Sequence, residues 1–191
     1  MVSQPLNMFD VAPNADGAAA ILLTRPEILP SKFSHPLVQI TGSSVATDTL
    51  ALHDRPEPLI LHTARVSIER ACKQAGININ DTDLFELYDA YSIYPPLIFE
   101  AAGLSETGQG WQWAQNGKVS LQGEMPVTTF GGLKARGNPG GATGVYQVVE
   151  AALQLRGQAG KNQVKDAQTA LVQSLGGAAS TAVAHVLQTV S

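Results

Sequence analysis

Cysteine occurs once in this chain of 191 residues, at Cys72, and that scarcity removes whole classes of architecture. A lone thiol closes no disulfide within the chain and provides no multi-cysteine metal spacing, so no metal site is expected. Charge is sparse too: 12 Lys and Arg stand against 16 Asp and Glu, scattered, with no basic run able to neutralise several phosphates at once. Nucleic acid is therefore not an expected partner. Long apolar runs are also missing, none approaching the roughly 20 residues that span a bilayer. Residues 1–10 lack the basic-then-apolar plan of a secretory leader. The chain is expected to be cytoplasmic. Its 44% hydrophobic content suffices for one sizeable core, hence one domain over residues 1–191.

What is present alternates between strand-like and helix-like segments. Asn14-Ala15-Asp16-Gly17 is a turn signal, and the apolar run Ala18–Leu23 behind it has the length of a buried strand. Thr24–Pro36 holds three prolines and reads as irregular, before Leu37–Thr41 offers a second short strand ended by Gly42. From Pro58 to Ala75 the residues Leu61, Ala64, Ile68, Ala71, Cys72 and Ala75 recur at helical spacing, with Gly76 just past the last. Asp83–Asp89 reads as a strand with Phe85 and Leu87 on one face, running into a helix over Ile93–Ala102 ended by Gly103. The polar stretch Ser105–Pro126, with Trp111 and Trp113, is long enough for a functional cover or docking surface, or is an anchored surface excursion.

A glycine-rich segment, residues 130–144, leads into a helical pattern of Val145, Val148, Val149, Ala152 and Leu155, with Asn138 suited to the N-cap and Pro139 to the first helical position. Thr169–Ser174 and Thr181–Val190 then form a hairpin through Leu175–Ala179. The expected class is α/β, a five-stranded mixed sheet covered by helices and closing on an antiparallel strand pair.

Three places can carry chemistry. Tyr88 stands where a strand hands over to a helix, as an acid or base; the reading that pattern alone favours is that it packs in the core while Asp89 caps the following helix. The glycine-rich loop can bring backbone N–H groups to an anion or oxyanion, or is simply the entry to a capped helix. It has neither a Walker ending nor dinucleotide spacing. Ser174, at a strand end before Gly176-Gly177, needs a neighbouring base to become a nucleophile, and the local sequence supplies none. His35, His53, His62 and His185 follow no triad or metal spacing and read as structural or surface residues. Cys72, on the apolar helix stripe, reads as an inert core thiol. Lys134 and Arg136 are contacts for a cofactor phosphate or solvated loop cations.

Four segments in order carry a family resemblance: residues 14–20 (NADGAAA), 86–91 (ELYDAY), 131–144 (GGLKARGNPGGATG), and Leu175-Gly176-Gly177 with the strand after it. Together they resemble the C-terminal half of thiolases, more closely the branch of sterol-carrier-protein-type thiolases and their lipid-transfer-protein relatives. The match runs over nearly the whole chain. It implies thioester chemistry on a coenzyme A substrate, with no tightly bound cofactor. The reactive cysteine of such an enzyme belongs to an N-terminal half that this sequence does not contain, so that half is an implied partner and an oligomer the implied state. Tyr88, Asn138 and Ser174 fall at catalytic positions, with Asp89, Gly137, Gly176 and Gly177 as binding positions beside them.

Three substitutions separate this chain from a thiolase. Tyr88-Asp89-Ala90-Tyr91 replaces His-Asp-Ala-Phe, Gly137-Asn138-Pro139 replaces Gly-His-Pro, and Ser174-Leu175-Gly176 replaces Cys-x-Gly. Groups that titrate near neutrality, or can be tuned to, give way to a phenol ionising near pH ~10 and to groups that do not usefully ionise. Lipid-transfer-protein relatives that carry tyrosine at the first position are retro-aldolases on CoA thioesters and work with a small zinc-ribbon and OB-fold partner. The resemblance thus implies one wall of an acyl-CoA site for C–C bond cleavage or formation. The alternative is a non-catalytic scaffold subunit that stabilises an active partner.

Overall fold

Two faces of one sheet, each dressed by a different helix, organise the chain. The computed structural model describes residues 4–30 and 36–190, so His35 and part of the proline-rich stretch lie outside the described residues. Strands β1 (Val38–Thr47), β2 (Leu84–Glu86), β3 (Thr169–Gly176) and β4 (Thr181–Thr189) lie in the order β1-β4-β3-β2. β1 and β3 run antiparallel to β4, and β2 runs parallel to β3. The α/β class, the mixed sheet and the terminal hairpin match expectation.

Alternation along each strand sorts side chains between the faces. Phe85, Leu171, Ala184 and Val186 point to one face, where they meet Ala64, Ile68 and Ala71 of α1 (His62–Ala75) and Ile98 and Phe99 of α2 (Tyr94–Ala101). Leu84, Ala170, Val172 and Leu187 point to the other, under Val148, Ala151 and Leu155 of α5 (Thr143–Leu155). α1 ends at Gly76, in left-handed conformation at φ 70°, whose N–H caps the carbonyls of Cys72 and Lys73. The helix starts at His62, later than its apolar pattern suggests, because Pro58–Ile60 turns before the chain enters it. The polar stretch 105–126 carries a short helix α3 (Gly110–Trp113), with Trp113 packed 5.0 Å from Phe99 and Trp111 exposed.

The described sheet has four strands, not five. The missing one is Ala18–Leu23, which pairs with nothing among the described residues and leaves Leu22 94% and Leu23 69% exposed. Its apolar pattern is that of a strand, but a strand exists only where a neighbour completes its hydrogen bonds, and this segment has none. α5 covers β2 and β3 more than β4, leaving Val45 on β1 57% exposed and Val183 and His185 on β4 half-buried.

Gly42 does not end its strand. β1 continues to Thr47 across a bulge between Ile40 and Gly42, which pair with Leu187 and Val186. A side chain at Gly42 would run into the Ala71 carbonyl, so the bulge is where α1 lies directly on the sheet. Gly42→Ala should therefore lower unfolding free energy by about 2–3 kcal/mol, measured by urea denaturation, whereas the same change at exposed Gly141, where a Cβ meets open space, should cost far less.

Candidate functional site

Three stretches of chain meet beyond the end of β2. The segment after the strand, 87–92, is laced to the N-terminal stretch by Ala12 N–H donating to the Ala90 carbonyl (2.8 Å) and Ser92 N–H to that of Asp10 (2.9 Å). The glycine-rich loop joins from the other side: Asn138 N–H donates to the Pro13 carbonyl (2.7 Å), and Ala15 N–H donates to the Asn138 carbonyl (3.2 Å). The Asn14–Gly17 segment, expected as a turn, instead forms a parallel bridge from Asn14 to Asn138 and acts as a clasp over the loop. Gly137, at φ 92°, packs where a Cβ would meet Ala15 and the Pro13 carbonyl, so only glycine passes under the clasp.

This arrangement brings Tyr88 and Asn138 together. The Asn138 Oδ1 accepts from Gly140 N–H and from the Thr143 hydroxyl, both at 3.0 Å, which turns its Nδ2 toward the Tyr88 hydroxyl at 3.5 Å. Those two bonds also set the amide's orientation. The expected cap is displaced by one residue. Pro139, not Asn138, is the N-cap of a 3₁₀ turn, Gly140–Ala142, that feeds α5, because the chain enters α5 through this tighter turn. Asn138 sits one step earlier and holds the turn from outside. Ser174 lies on the α5 face of β3, against Gly144 in the first turn of α5. Thr143 reaches Asn138 and Gly144 abuts Ser174, so this turn links the two positions. Gly176 ends β3 opposite Thr181, and Gly177, at φ 58°, opens the hairpin turn.

Asp89 caps a different helix from the one its sequence position suggests. Its buried carboxylate accepts from Leu133 N–H (2.8 Å) and Lys134 N–H (3.4 Å) at the start of α4 (Gly132–Arg136). A side chain at Gly132 would collide with that carboxylate. α2 takes no side-chain cap and starts at Tyr94 with Pro95 and Pro96 in its first turn. The proximity of Asp89 to α4 is tertiary, so local capping signals do not report it. Burial pushes the Asp89 carboxyl above its ordinary value, opposed by these N–H donors.

The cations expected at a phosphate or in solvent are engaged elsewhere. Arg136 Nη1 donates to Glu150 at 2.6 Å and its guanidinium lies 5.0 Å from the Tyr146 ring, while Lys134 reaches the Phe9 carbonyl. Cys72 is buried and its thiol pKa is raised by desolvation, in keeping with an inert thiol. His53 and His62 are exposed, and no cluster of metal-ligating side chains occurs among the described residues. Beside the tyrosines, Leu52, Leu59, Tyr91, Ile93 and Leu97 line an apolar groove of about 280 Å³, with Tyr94 5.7 Å from the Tyr88 ring.

Sequence reasoning overlooked Glu86. It is fully buried on the α5 face, its Oε1 accepting from Thr129 N–H (3.0 Å) and hydroxyl (2.9 Å), and Gln154 donates in turn to that hydroxyl (2.8 Å). The one local signal is its alternation with Leu84, but the strand was read with Phe85 and Leu87 as its apolar face, which left Glu86 on the other. Desolvation first, then the Glu150 charge, raises its pKa from 4.5 to about 7. The folded chain thus keeps a proton that the unfolded chain has already released. The associated stability is complete below pH 4.5 and is lost as pH rises through about 7. Each pKa unit is worth about 1.4 kcal/mol. Urea midpoints followed from about pH 5 to pH 8 should fall less in Glu86→Gln than in the parent chain.

Comparison with known proteins follows the same outline. A family model described as thiolase C-terminal domain-like matches residues 44–189. The acetyl-CoA acetyltransferase of Methanothermobacter thermautotrophicus is 38% identical over 186 residues, which are 97% of this chain and 48% of that protein. Sterol carrier protein 2 of Homo sapiens is 35% identical over 176 residues, 90% of this chain and 32% of that protein. In fold, the chain is similar to the Ltp2-ChsH2(DUF35) aldolase, with a TM-score of 0.71 at 21% identity, covering 83% of this chain and 41% of that one. The chain spans about half the length of the acetyltransferase, 48%, and about a third of the carrier protein, 32%. No helix among the described residues is long and apolar enough to cross a membrane. With the model matching 146 of its 191 residues, this chain belongs to the thiolase C-terminal domain-like family.

Proposed function

We propose that this domain is the C-terminal half of a thiolase-like enzyme acting on CoA thioesters, and that its reaction is retro-aldol cleavage of a β-hydroxyacyl-CoA. The observation that carries this reading is the pairing of Tyr88 with Asn138 at 3.5 Å, under a clasp that fixes both. Claisen chemistry needs a base beside the thioester and an acid for the leaving group, and a carboxamide at Asn138 and a hydroxyl at Ser174 serve neither need. Retro-aldol cleavage asks for less. With Tyr88 as its phenolate, the oxygen takes the proton of the β-hydroxyl, the Cα–Cβ bond breaks as the carbonyl forms, and the electron pair moves onto the thioester oxygen as an enolate. Tyr88 then returns that proton to Cα, which regenerates the phenolate and completes a redox-neutral step. Asn138 Nδ2 donates to the oxygen that gains charge, which is the job of an oxyanion donor. Asp89 and Gly137 hold α4 and the loop, while Ser174, Gly176 and Gly177 form the rim on β3 and its turn.

A partner half is part of this reading. The unpaired run Ala18–Leu23 and the exposed strip around Val45 are surfaces that a thiolase-like N-terminal half would cover. The isolated chain should self-associate in light scattering or bind such a half; a monomer that binds no apolar dye would count against the pairing. The scaffold reading stays in view because the bonds that orient Asn138 are also what a purely structural loop would make.

Reaction type is tested on the chain reconstituted with an N-terminal half, supplied with β-hydroxyacyl-CoA or with β-ketoacyl-CoA plus CoA, and followed by mass spectrometry. Cleavage of the hydroxy substrate should dominate and should fall at least about 100-fold in Tyr88→Phe, the usual contribution of a positioned acid or base. Thiolysis that survives in Tyr88→Phe would instead return the domain to ordinary thiolase chemistry. Activity on neither substrate favours the scaffold.

A further inference from the structure

Beneath the Asn138 loop, three carboxyl groups share one guanidinium. Glu86 from β2, Asp89 just after it and Glu150 from α5 are all buried, and Arg136 is the cation among them. Three anions and one cation out of water leave a charge that the interior does not tolerate, so one acid keeps its proton. Glu86 is the deepest of the three, with no exposed surface, whereas Glu150 has its bond to Arg136 and Asp89 has backbone donors. Glu86 Oε2 and Arg136 Nε are both buried without a hydrogen-bond partner among the described residues. Glu150 Oε2 is idle as well, so the spare donor of Arg136 has an unpartnered acceptor on each of two acids, and an ionised Glu86 competes with Glu150 for it.

Arg136 is also the last residue of α4, and Gly137 and Asn138 follow it directly. α4 is tied at its start by Asp89 and at its end by the bond from Arg136 to Glu150. We infer that Glu86 is a positioning residue for the Tyr88–Asn138 pair: while uncharged it leaves Arg136 committed to Glu150, which keeps Asn138 in register with Tyr88, and once ionised it draws Arg136 away and shifts the loop. The inference rests on reading Tyr88 and Asn138 as the reacting pair, and it adds that the site is set at low pH and released as pH rises through neutrality. The groups facing Glu86 pull in opposite directions, and burial with the Glu150 charge prevails. Glu150 from α5 opposes its ionisation, Arg136 from α4 favours it less strongly, and Thr129 donates to one oxygen only. Lys134 is turned to the Phe9 carbonyl. His185, on the same sheet face beyond Val172, has its pKa lowered by burial.

The test needs neither substrate nor second half. In the full chain, the Glu86 side-chain carboxyl carbon and the backbone amides of Gly137 and Asn138 are followed by NMR across neutral pH. The expected result is a shared midpoint near 7, and loss of the amide step in Glu86→Gln, whose amides should stay at the parent's low-pH positions. Static Gly137 and Asn138 amides, a step that persists in Glu86→Gln, or a Glu86 carboxyl that titrates in the usual carboxylate range would each overturn the inference. If Glu86→Gln does not fold, coincidence of the carboxyl and amide midpoints in the parent decides, and separate midpoints overturn it. A Glu86 that only supports the fold would change stability without abolishing a pH step. Failure here leaves the retro-aldol reading intact, and thiolysis surviving in Tyr88→Phe would sink that reading without touching this one.

Discussion

The buried carboxylate of Asp89 under the start of α4 is the contact on which the site depends. A five-residue helix has too few internal hydrogen bonds to persist alone, so α4 exists because Asp89 satisfies its first N–H groups and Arg136 ties down its end. The glycine at position 132 is the corollary, since any side chain there would occupy the carboxylate's place. From α4 the constraint passes to Gly137 and Asn138, and through Thr143 to the first turn of α5. Tyr88 stands one residue before Asp89, so a single stretch of chain delivers both the phenol and the anchor that positions its partner.

The second constraint is electrostatic and works against the first. Placing Asp89, Glu150 and Glu86 around one arginine builds a firm mount for α4 only while part of the negative charge is neutralised by a proton. Replacing Glu86 by an apolar residue would remove the tension but would also strand the N–H and hydroxyl of Thr129, which donate to it. The cluster therefore combines rigidity at Asp89 with adjustability at Glu86, a few residues from the pair it supports.

Coverage of the sheet is uneven, and that asymmetry bears on assembly. α1 closes the face across β1 and β4, whereas α5 leaves Val45 open on the opposite face. Together with Leu22 and Leu23 this places apolar surface on water, a cost that a second domain would remove. The core is closed on the α1 face and partly open on the other.

How much the sequence settled follows from the range of each interaction. Periodicity was sufficient for α1, α5 and the β3–β4 hairpin, and the ordered motifs were sufficient for the family, because these depend on neighbours within a turn, a pleat or a short loop. The pairing of Tyr88 with Asn138, 50 positions apart, was reachable only because both fell in recognisable motifs. The tertiary structure alone decided that Ala18–Leu23 remains unpaired among the described residues, that β1 passes through Gly42, that Asp89 caps α4 rather than α2, and that Arg136 belongs to Glu150. Each of these turns on a group that arrives from a distant part of the chain, such as a sheet edge, a helix carbonyl, a pair of N–H groups or a carboxylate, and no local pattern of residues encodes that arrival.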